Sequence, residues 1–171
     1  MASIARLSLV VALAALLAAC SSGASPSPSA MSSEMPTGSG QMEEMDIGAL
    51  GEPADASQAD RKVHIVANDQ LQFDPDRVDV KVGETITFEI ENTGSVDHEF
   101  VLGSTGYQAQ HEEEMQAGEM EMGHEPNELE APAGETATLT WHFTEAGTTE
   151  FGCHEPGHFP AGMLGTITVS E

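Results

Sequence analysis

Residues that bind soft metal ions lie close together near the end of the chain. Cys153, His158 and Met163 follow one another at the spacing C-x4-H-x4-M. A thiolate, an imidazole and a thioether suit copper in both oxidation states, and a trigonal site of two histidines and one cysteine with a weak axial methionine supports one-electron chemistry. One imidazole is missing from this loop. The candidate is His98, at the end of the turn 92–97, which places it on a neighbouring strand.

The two cysteines of the chain have different predicted fates. Arg6 is followed by an apolar run over residues 7–19, which is too short for a confident membrane span but suits a signal peptide. The run ends in Leu-Ala-Ala-Cys, which resembles the bacterial lipobox, so we expect Cys20 to carry a lipid. The alternative is ordinary cleavage nearby, with Cys20 left as a free thiol. With Cys20 lipidated, Cys153 has no disulfide partner within the chain, and metal coordination would protect its thiolate.

The charge of the chain excludes some partners. It has 29 acidic residues against 5 lysines and arginines, for a formal net charge of −24. A nucleic-acid partner is not expected, because phosphate binding needs clustered basic residues. The acidic surface favours solubility, and it could also attract metal cations or a basic protein partner.

The hydrophobic pattern divides the chain into three parts. Residues 1–19 are the predicted leader, and residues 20–60 lack aliphatic clusters and are predicted to be a disordered tether. From residue 61 to 171, apolar residues alternate over short runs separated by glycine and proline. This pattern predicts a single all-β domain, a two-sheet antiparallel sandwich of seven or eight strands.

A long insertion, residues 103–132, interrupts the alternation. A helical turn is expected around 108–116, where His111 and Met115 are one turn apart. The insertion also holds three further metal-binding residues, Met120, Met122 and His124. Thioethers select Cu(I), so these five residues are a candidate auxiliary copper site. The competing interpretation is a solvated acidic loop that covers one end of the sandwich.

Residues 63–169 resemble the cupredoxin family, which includes plastocyanin, azurin, rusticyanin and auracyanin. The resemblance implies a Greek-key β-sandwich and a mononuclear type 1-like copper site with the ligands His98, Cys153, His158 and Met163. The loop spacing is most similar to auracyanin and rusticyanin. The segments 97–102 and 156–163 also resemble bacterial exported cupredoxin-like proteins associated with copper handling. One departure is Glu99, because family members often place Asn or Ser there to donate a hydrogen bond to the thiolate.

Two functions follow as hypotheses. The first is one-electron transfer at the membrane surface, in which His158 reaches a partner through an apolar patch of Phe159, Pro160 and Ala161. The alternative is copper tolerance or trafficking outside the cytoplasm. Both predict an exported, lipid-anchored monomer, at the outer face of the cell membrane or in the periplasm, with a redox or copper-transfer partner. An enzyme is not expected, because multicopper oxidases and nitrite reductases use further copper centres and longer chains.

Three other histidines are not expected to bind the metal. His154 adjoins Cys153, and strand alternation points its side chain away from the site. His64 and His142 fall on the outward faces of their predicted strands.

Overall fold

Short strands account for most of the computed structural model, which describes residues 47–118 and 125–171. One α-helix, α1 (Thr105–Ala117), lies between the sixth and seventh strands of this part of the chain. The strands are β1 (Gly51–Pro53), β2 (Arg61–Asn68), β3 (Gln72–Asp74), β4 (Arg77–Lys81), β5 (Thr85–Asn92), β6 (His98–Gly103), β7 (Glu128–Ala131), β8 (Thr136–Phe143), β9 (Gly147–Gly152) and β10 (Leu164–Ser170).

The strands form two five-stranded sheets. The first has the order β1-β8-β5-β2-β3 and the second the order β4-β10-β9-β6-β7. The predicted all-β sandwich is confirmed, but the described residues contain ten strands instead of seven or eight. β1, β3 and β7 have only three or four residues each, too few to show an alternating pattern. The pairs β2–β5 and β4–β10 are parallel, so the sandwich is not wholly antiparallel.

The core lies between the two sheets and follows from the period-two pattern. On β5, Ile86, Phe88 and Ile90 are fully buried. Phe88 packs against Phe100 of β6 in the opposite sheet, with ring centroids 5.3 Å apart, and Phe100 stacks on Phe151 of β9 at 4.9 Å. Aromatic packing thus fixes strand β6, which begins with His98, and strand β9, which ends directly before Cys153.

The first described residues belong to the sandwich, although the sequence analysis assigned residues 20–60 to a tether. Ala49 is buried, and its carbonyl oxygen accepts a hydrogen bond from Trp141 Nε1 at 3.1 Å. Gly51 pairs with Phe143, and a Cβ atom at Gly51 would collide with the carbonyl oxygen of His142. This part of the tether prediction is wrong, because backbone pairing and a single tryptophan contact leave no periodic signal. The leader, Cys20 and the rest of the predicted tether lie outside the described residues.

The described parts of the insertion, residues 103–118 and 125–132, contain more regular structure than the sequence suggested. The helical turn expected at 108–116 is confirmed as part of α1, and Ser104 caps the helix by accepting a hydrogen bond from the Tyr107 N–H at 3.2 Å. None of the helices in the described segments combines the length and apolar character needed to cross a membrane.

Candidate metal centre

Two neighbouring strands hold both ends of the loop 153–163. Cys153 directly follows β9, and Met163 directly precedes β10. These strands are antiparallel with Gly152 opposite Leu164, and the Cys153 N–H donates to the Met163 carbonyl oxygen at 3.1 Å. The two ends of the loop therefore meet at one point of the second sheet.

The interior of the loop turns back toward its own base. The Met163 N–H donates to the His158 carbonyl oxygen at 3.1 Å. Gly162 makes this turn with φ = +96°, a left-handed conformation that side-chain-bearing residues rarely adopt. The fold thus returns His158 to Cys153 without a regular element between them.

His98 completes the group from the neighbouring strand. As the first residue of β6, which pairs with β9, it stands beside the loop. Its Nδ1 atom lies 3.3 Å from His158 Nδ1 and 3.8 Å from Cys153 Sγ, and Cys153 Sγ lies 3.3 Å from His158 Nδ1. Within the described ranges, these three residues are the group of histidine, cysteine and carboxylate side chains whose ligand atoms all lie within 4.8 Å of one another.

The spacing of these atoms fits a single metal ion. Ligands at about 2.0–2.3 Å from a shared ion, arranged at about 120°, lie roughly 3.5–4 Å apart. The observed 3.3–3.8 Å separations are close to that range. Met163 is fully buried at the base of the same loop, where a thioether could act as the weak fourth donor. The donor set therefore fits copper.

Burial sets the protonation of the group. Desolvation raises the pKa of the Cys153 thiol to about 12, so the thiolate needs a cation beside it. Burial, and then the proximity of His158, lower the pKa of His98 and favour its neutral, metal-binding form. His98 and Cys153 are 1% and 0% exposed, whereas His158 is partly exposed. The site therefore opens to solvent on the His158 side.

Glu99 contributes to the site in a way that the sequence analysis missed. Its backbone N–H donates to Cys153 Sγ at 3.4 Å, and its buried carboxylate accepts from the His154 N–H at 3.1 Å. Burial, and then the charge of Glu155, raise the pKa of the Glu99 carboxyl to about 8. A strand pattern cannot indicate a backbone bond to sulfur, so this contact could not be predicted from the sequence.

An acidic cleft lies next to His98. The cleft is lined by Asp97, His98, Glu130, Pro132 and Glu155. Burial raises the pKa of Glu155, and Asp97 and Glu130 raise it further. The carboxylates of the cleft therefore repel one another and favour a cation.

The three histidines excluded by the sequence analysis lie outside the three-residue group. His64 is exposed and pairs with Glu91, with 2.7 Å between Nε2 and Oε2, and His142 is partly exposed. His154 is only 2% exposed, and its ring contacts α1. The alternation indicated its direction, but the burial depends on α1, whose packing was not predicted.

The candidate auxiliary residues are only partly described. His111 is buried on α1, with Nδ1 3.4 Å from Glu128 Oε1, and Met115 is partly buried one turn later. Neither ring nitrogen of His111 has a hydrogen-bond partner among the described residues. Met120, Met122 and His124 lie outside the described residues, so the auxiliary site stays a prediction.

Comparisons with known proteins agree with this geometry. The profile of copper-binding proteins of the plastocyanin/azurin family matches residues 59–170, and that of a cupredoxin-like domain matches residues 9–108. A copper-resistant cuproprotein CopI from Rubrivivax gelatinosus is 42% identical over 119 residues, which cover 70% of this chain and 72% of the relative. A copper-resistant cuproprotein CopI from Pseudomonas aeruginosa is 37% identical over 150 residues, which cover 71% of this chain and 82% of the relative.

The fold is similar to that of a solved structure. Auracyanin B superposes with a TM-score of 0.59 at 24% identity, covering 71% of this chain and 96% of the other. The similarity shows the fold, and the profile match over residues 59–170 together with the 42% identity to CopI identifies the chain as a member of the copper-binding plastocyanin/azurin family.

Proposed function

We propose that this protein confers copper tolerance by binding copper through His98, Cys153, His158 and Met163. The observation that carries the proposal is the group of three ligand atoms, within 4.8 Å of one another, in a chain 42% identical to a copper-resistant cuproprotein. The fully buried Met163, at the base of the same loop, would add a weak thioether donor.

The residues of the proposed site are suited to holding copper. Cys153 releases its proton on binding, which makes copper affinity increase with pH. His98 and Cys153 exclude water on the buried side, while the backbone N–H of Glu99 donates to the sulfur. When bound, copper supplies one-electron chemistry between Cu(I) and Cu(II).

The acidic cleft supports a role in capturing copper ions. Asp97, Glu130 and Glu155 line it together with His98, so the same surface carries negative charge and one of the proposed ligands. Clefts lined by one sign of charge raise the local concentration of counter-ions. A copper-binding protein that acts on free ions would benefit from such a surface more than a carrier of electrons alone.

Electron transfer is the second candidate function. The partly exposed His158 is followed by Phe159, Pro160 and Ala161, of which Pro160 and Ala161 are exposed. This patch would let a redox partner approach the imidazole, as the sequence analysis expected. Export with a lipid on Cys20 is part of both functions, and the leader sequence supports it.

Growth in excess copper tests the proposal. A strain without this protein should grow poorly, and the wild-type protein should restore growth. Cys153→Ala should not restore it, whereas the control His142→Ala, which changes a histidine outside the ligand group, should. Full rescue by Cys153→Ala would contradict the proposal.

Copper stoichiometry separates the two candidate functions. About one tightly bound copper ion per chain would favour an electron carrier. Additional Cu(I) that is lost when His111, Met115, Met120 and Met122 are replaced together would favour copper handling and would establish the auxiliary site.

A further inference from the structure

The ring of His154 is held from several sides between α1 and the ligand loop. Its Nδ1 atom lies 2.8 Å from Glu112 Oε2, and its Nε2 atom lies 2.7 Å from Gln108 Oε1. One face stacks on Phe159 with ring centroids 4.6 Å apart, and the ring of His111 meets it edge to face at 4.7 Å. A side chain adjoining Cys153 is thus fixed by residues on two separate elements.

A second hydrogen bond fixes the orientation of the Gln108 side-chain amide toward His154. Its side-chain nitrogen donates to the Val101 carbonyl oxygen of β6 at 2.7 Å, so its amide oxygen faces His154 as an acceptor. Gln108 and His154 are 0% and 2% exposed. A buried polar network with its partners in place is rigid, because any displacement would leave buried groups unpaired.

The network continues through the backbone to the sulfur. The His154 N–H donates to Glu99 Oε2 at 3.1 Å, and the Glu99 N–H donates to Cys153 Sγ at 3.4 Å. Phe159, which stacks on the His154 ring, directly follows His158 in the chain. The ring of His154 is therefore mechanically connected to the neighbours of both loop ligands.

From these contacts we infer that His154 is a positioning residue of the copper site, through which α1 fixes the hydrogen bond to the Cys153 thiolate and the orientation of His158. The inference rests on the proposed roles of Cys153 and His158 as copper ligands. Hydrogen bonds around first ligands tune the properties of a metal site. The helix in the insertion would then control the copper site from outside it, without providing a ligand.

Three variants test the inference. His154→Phe keeps a planar ring for stacking on Phe159 but removes both ring nitrogens, which face Glu112 Oε2 and Gln108 Oε1. Glu112→Ala removes one partner of His154 near the surface, where the Glu112 side chain is 12% exposed, and should disturb folding less. Glu113→Ala, an exposed neighbour on α1, is the matched control.

The reduction potential and the Cu(II) electron paramagnetic resonance spectrum are the readouts. We expect His154→Phe to change the ratio of Cu(II) to Cu(I) affinity by about tenfold or more, which corresponds to a potential shift of about 59 mV. Glu112→Ala should shift the potential in the same direction by less, and the control should match the wild type. If His154→Phe does not fold, the reduction potential and spectrum of Glu112→Ala test the inference instead.

The outcomes distinguish this inference from the proposed site. A wild-type potential and spectrum in Glu112→Ala and His154→Phe, with only a loss of unfolding free energy, would overturn the positioning role and leave the copper ligands standing. If the wild-type protein itself lacks a thiolate-to-copper absorption band, the proposed site is wrong and the inference falls with it.

Discussion

The backbone N–H of Glu99 donates to Cys153 Sγ at 3.4 Å, although Glu99 departs from the Asn or Ser that the resemblance to cupredoxins implies at this position. The donor to sulfur is a main-chain N–H, which a glutamate supplies as well as Asn or Ser would. The Glu99 carboxylate turns instead to the His154 N–H. With glutamate at position 99, Cys153 Sγ therefore still receives a backbone hydrogen bond, and the site gains a buried carboxyl group.

This carboxyl group should make the stability of the metal-free protein depend on pH. Burial raises the Glu99 pKa from 4.5 to about 8 in the folded state. Between these values the unfolded chain has released a proton that the folded chain retains, so the free energy of unfolding should fall as pH rises. The slope for this one group is at most about 1.4 kcal/mol per pH unit. Glu99→Gln should make the fall shallower.

Urea unfolding between about pH 5 and about pH 8 measures this effect. Glu113→Gln, which replaces an exposed carboxyl on α1, is the control and should keep the wild-type slope. Equal slopes in Glu99→Gln and the wild type would mean that Glu99 is ionised in the folded protein over this range.

Replacement of Met163 by leucine should raise the reduction potential while preserving the fold. Leucine fills a similar volume, and swaps of this kind in a core usually cost less than about 1.5 kcal/mol. Without the fourth donor copper keeps three ligands, a low coordination number that Cu(I) tolerates better than Cu(II), so the reduced state should gain. Electrochemistry of wild type and Met163→Leu gives the shift. An unchanged potential would remove Met163 from the ligand set.

Gly51→Ala should destabilise the domain, although Gly51 lies in the range expected to be a tether. The added Cβ would collide with the His142 carbonyl oxygen where β1 pairs with β8. Gly106→Ala is the control, because that position lies inside α1 with open space and alanine favours helix by about 0.5–1 kcal/mol. Thermal unfolding should show a lower Tm for Gly51→Ala alone. A wild-type Tm would mean that β1 adds no stability.

Cys20→Ala should release the protein from the membrane fraction. The lipobox-like sequence predicts that Cys20 carries the lipid, and a single alanine removes the acceptor thiol. Fractionation of cells that produce wild-type or Cys20→Ala protein measures the distribution. Cys153→Ala, the control, should remain with the membrane. Equal membrane association of wild type and Cys20→Ala would favour ordinary cleavage and a free thiol.

The candidate copper ligands could be predicted from the sequence because cysteine, histidine and methionine are chemically distinct from the residues around them. Cys153, His158 and Met163 stand at a regular spacing in one loop, and His98 follows the turn 92–97 at the start of a short strand, as expected. The structure brings His98, Cys153 and His158 together as expected. The strand pattern likewise predicted the sandwich, since apolar residues alternate with polar residues along β5 and β8.

The rest depends on contacts that local pattern does not encode. The burial of His154 requires Gln108 and Glu112 of α1, which lie more than forty residues away in sequence. The order of the segment before β2 depends on Trp141, whose indole reaches back to Ala49. Such long-range polar contacts have no period, so a single sequence could not reveal them.

The assignment of Cys153 as a copper ligand can be tested by the absorption and electron paramagnetic resonance spectra of the Cu(II) protein, compared with those of Cys153→Ala. We expect an intense thiolate-to-copper band in the wild type that is absent from the variant, with tight copper binding lost as well. Retention of the band and of copper binding in Cys153→Ala would contradict the assignment of Cys153 as a ligand and the site built around it.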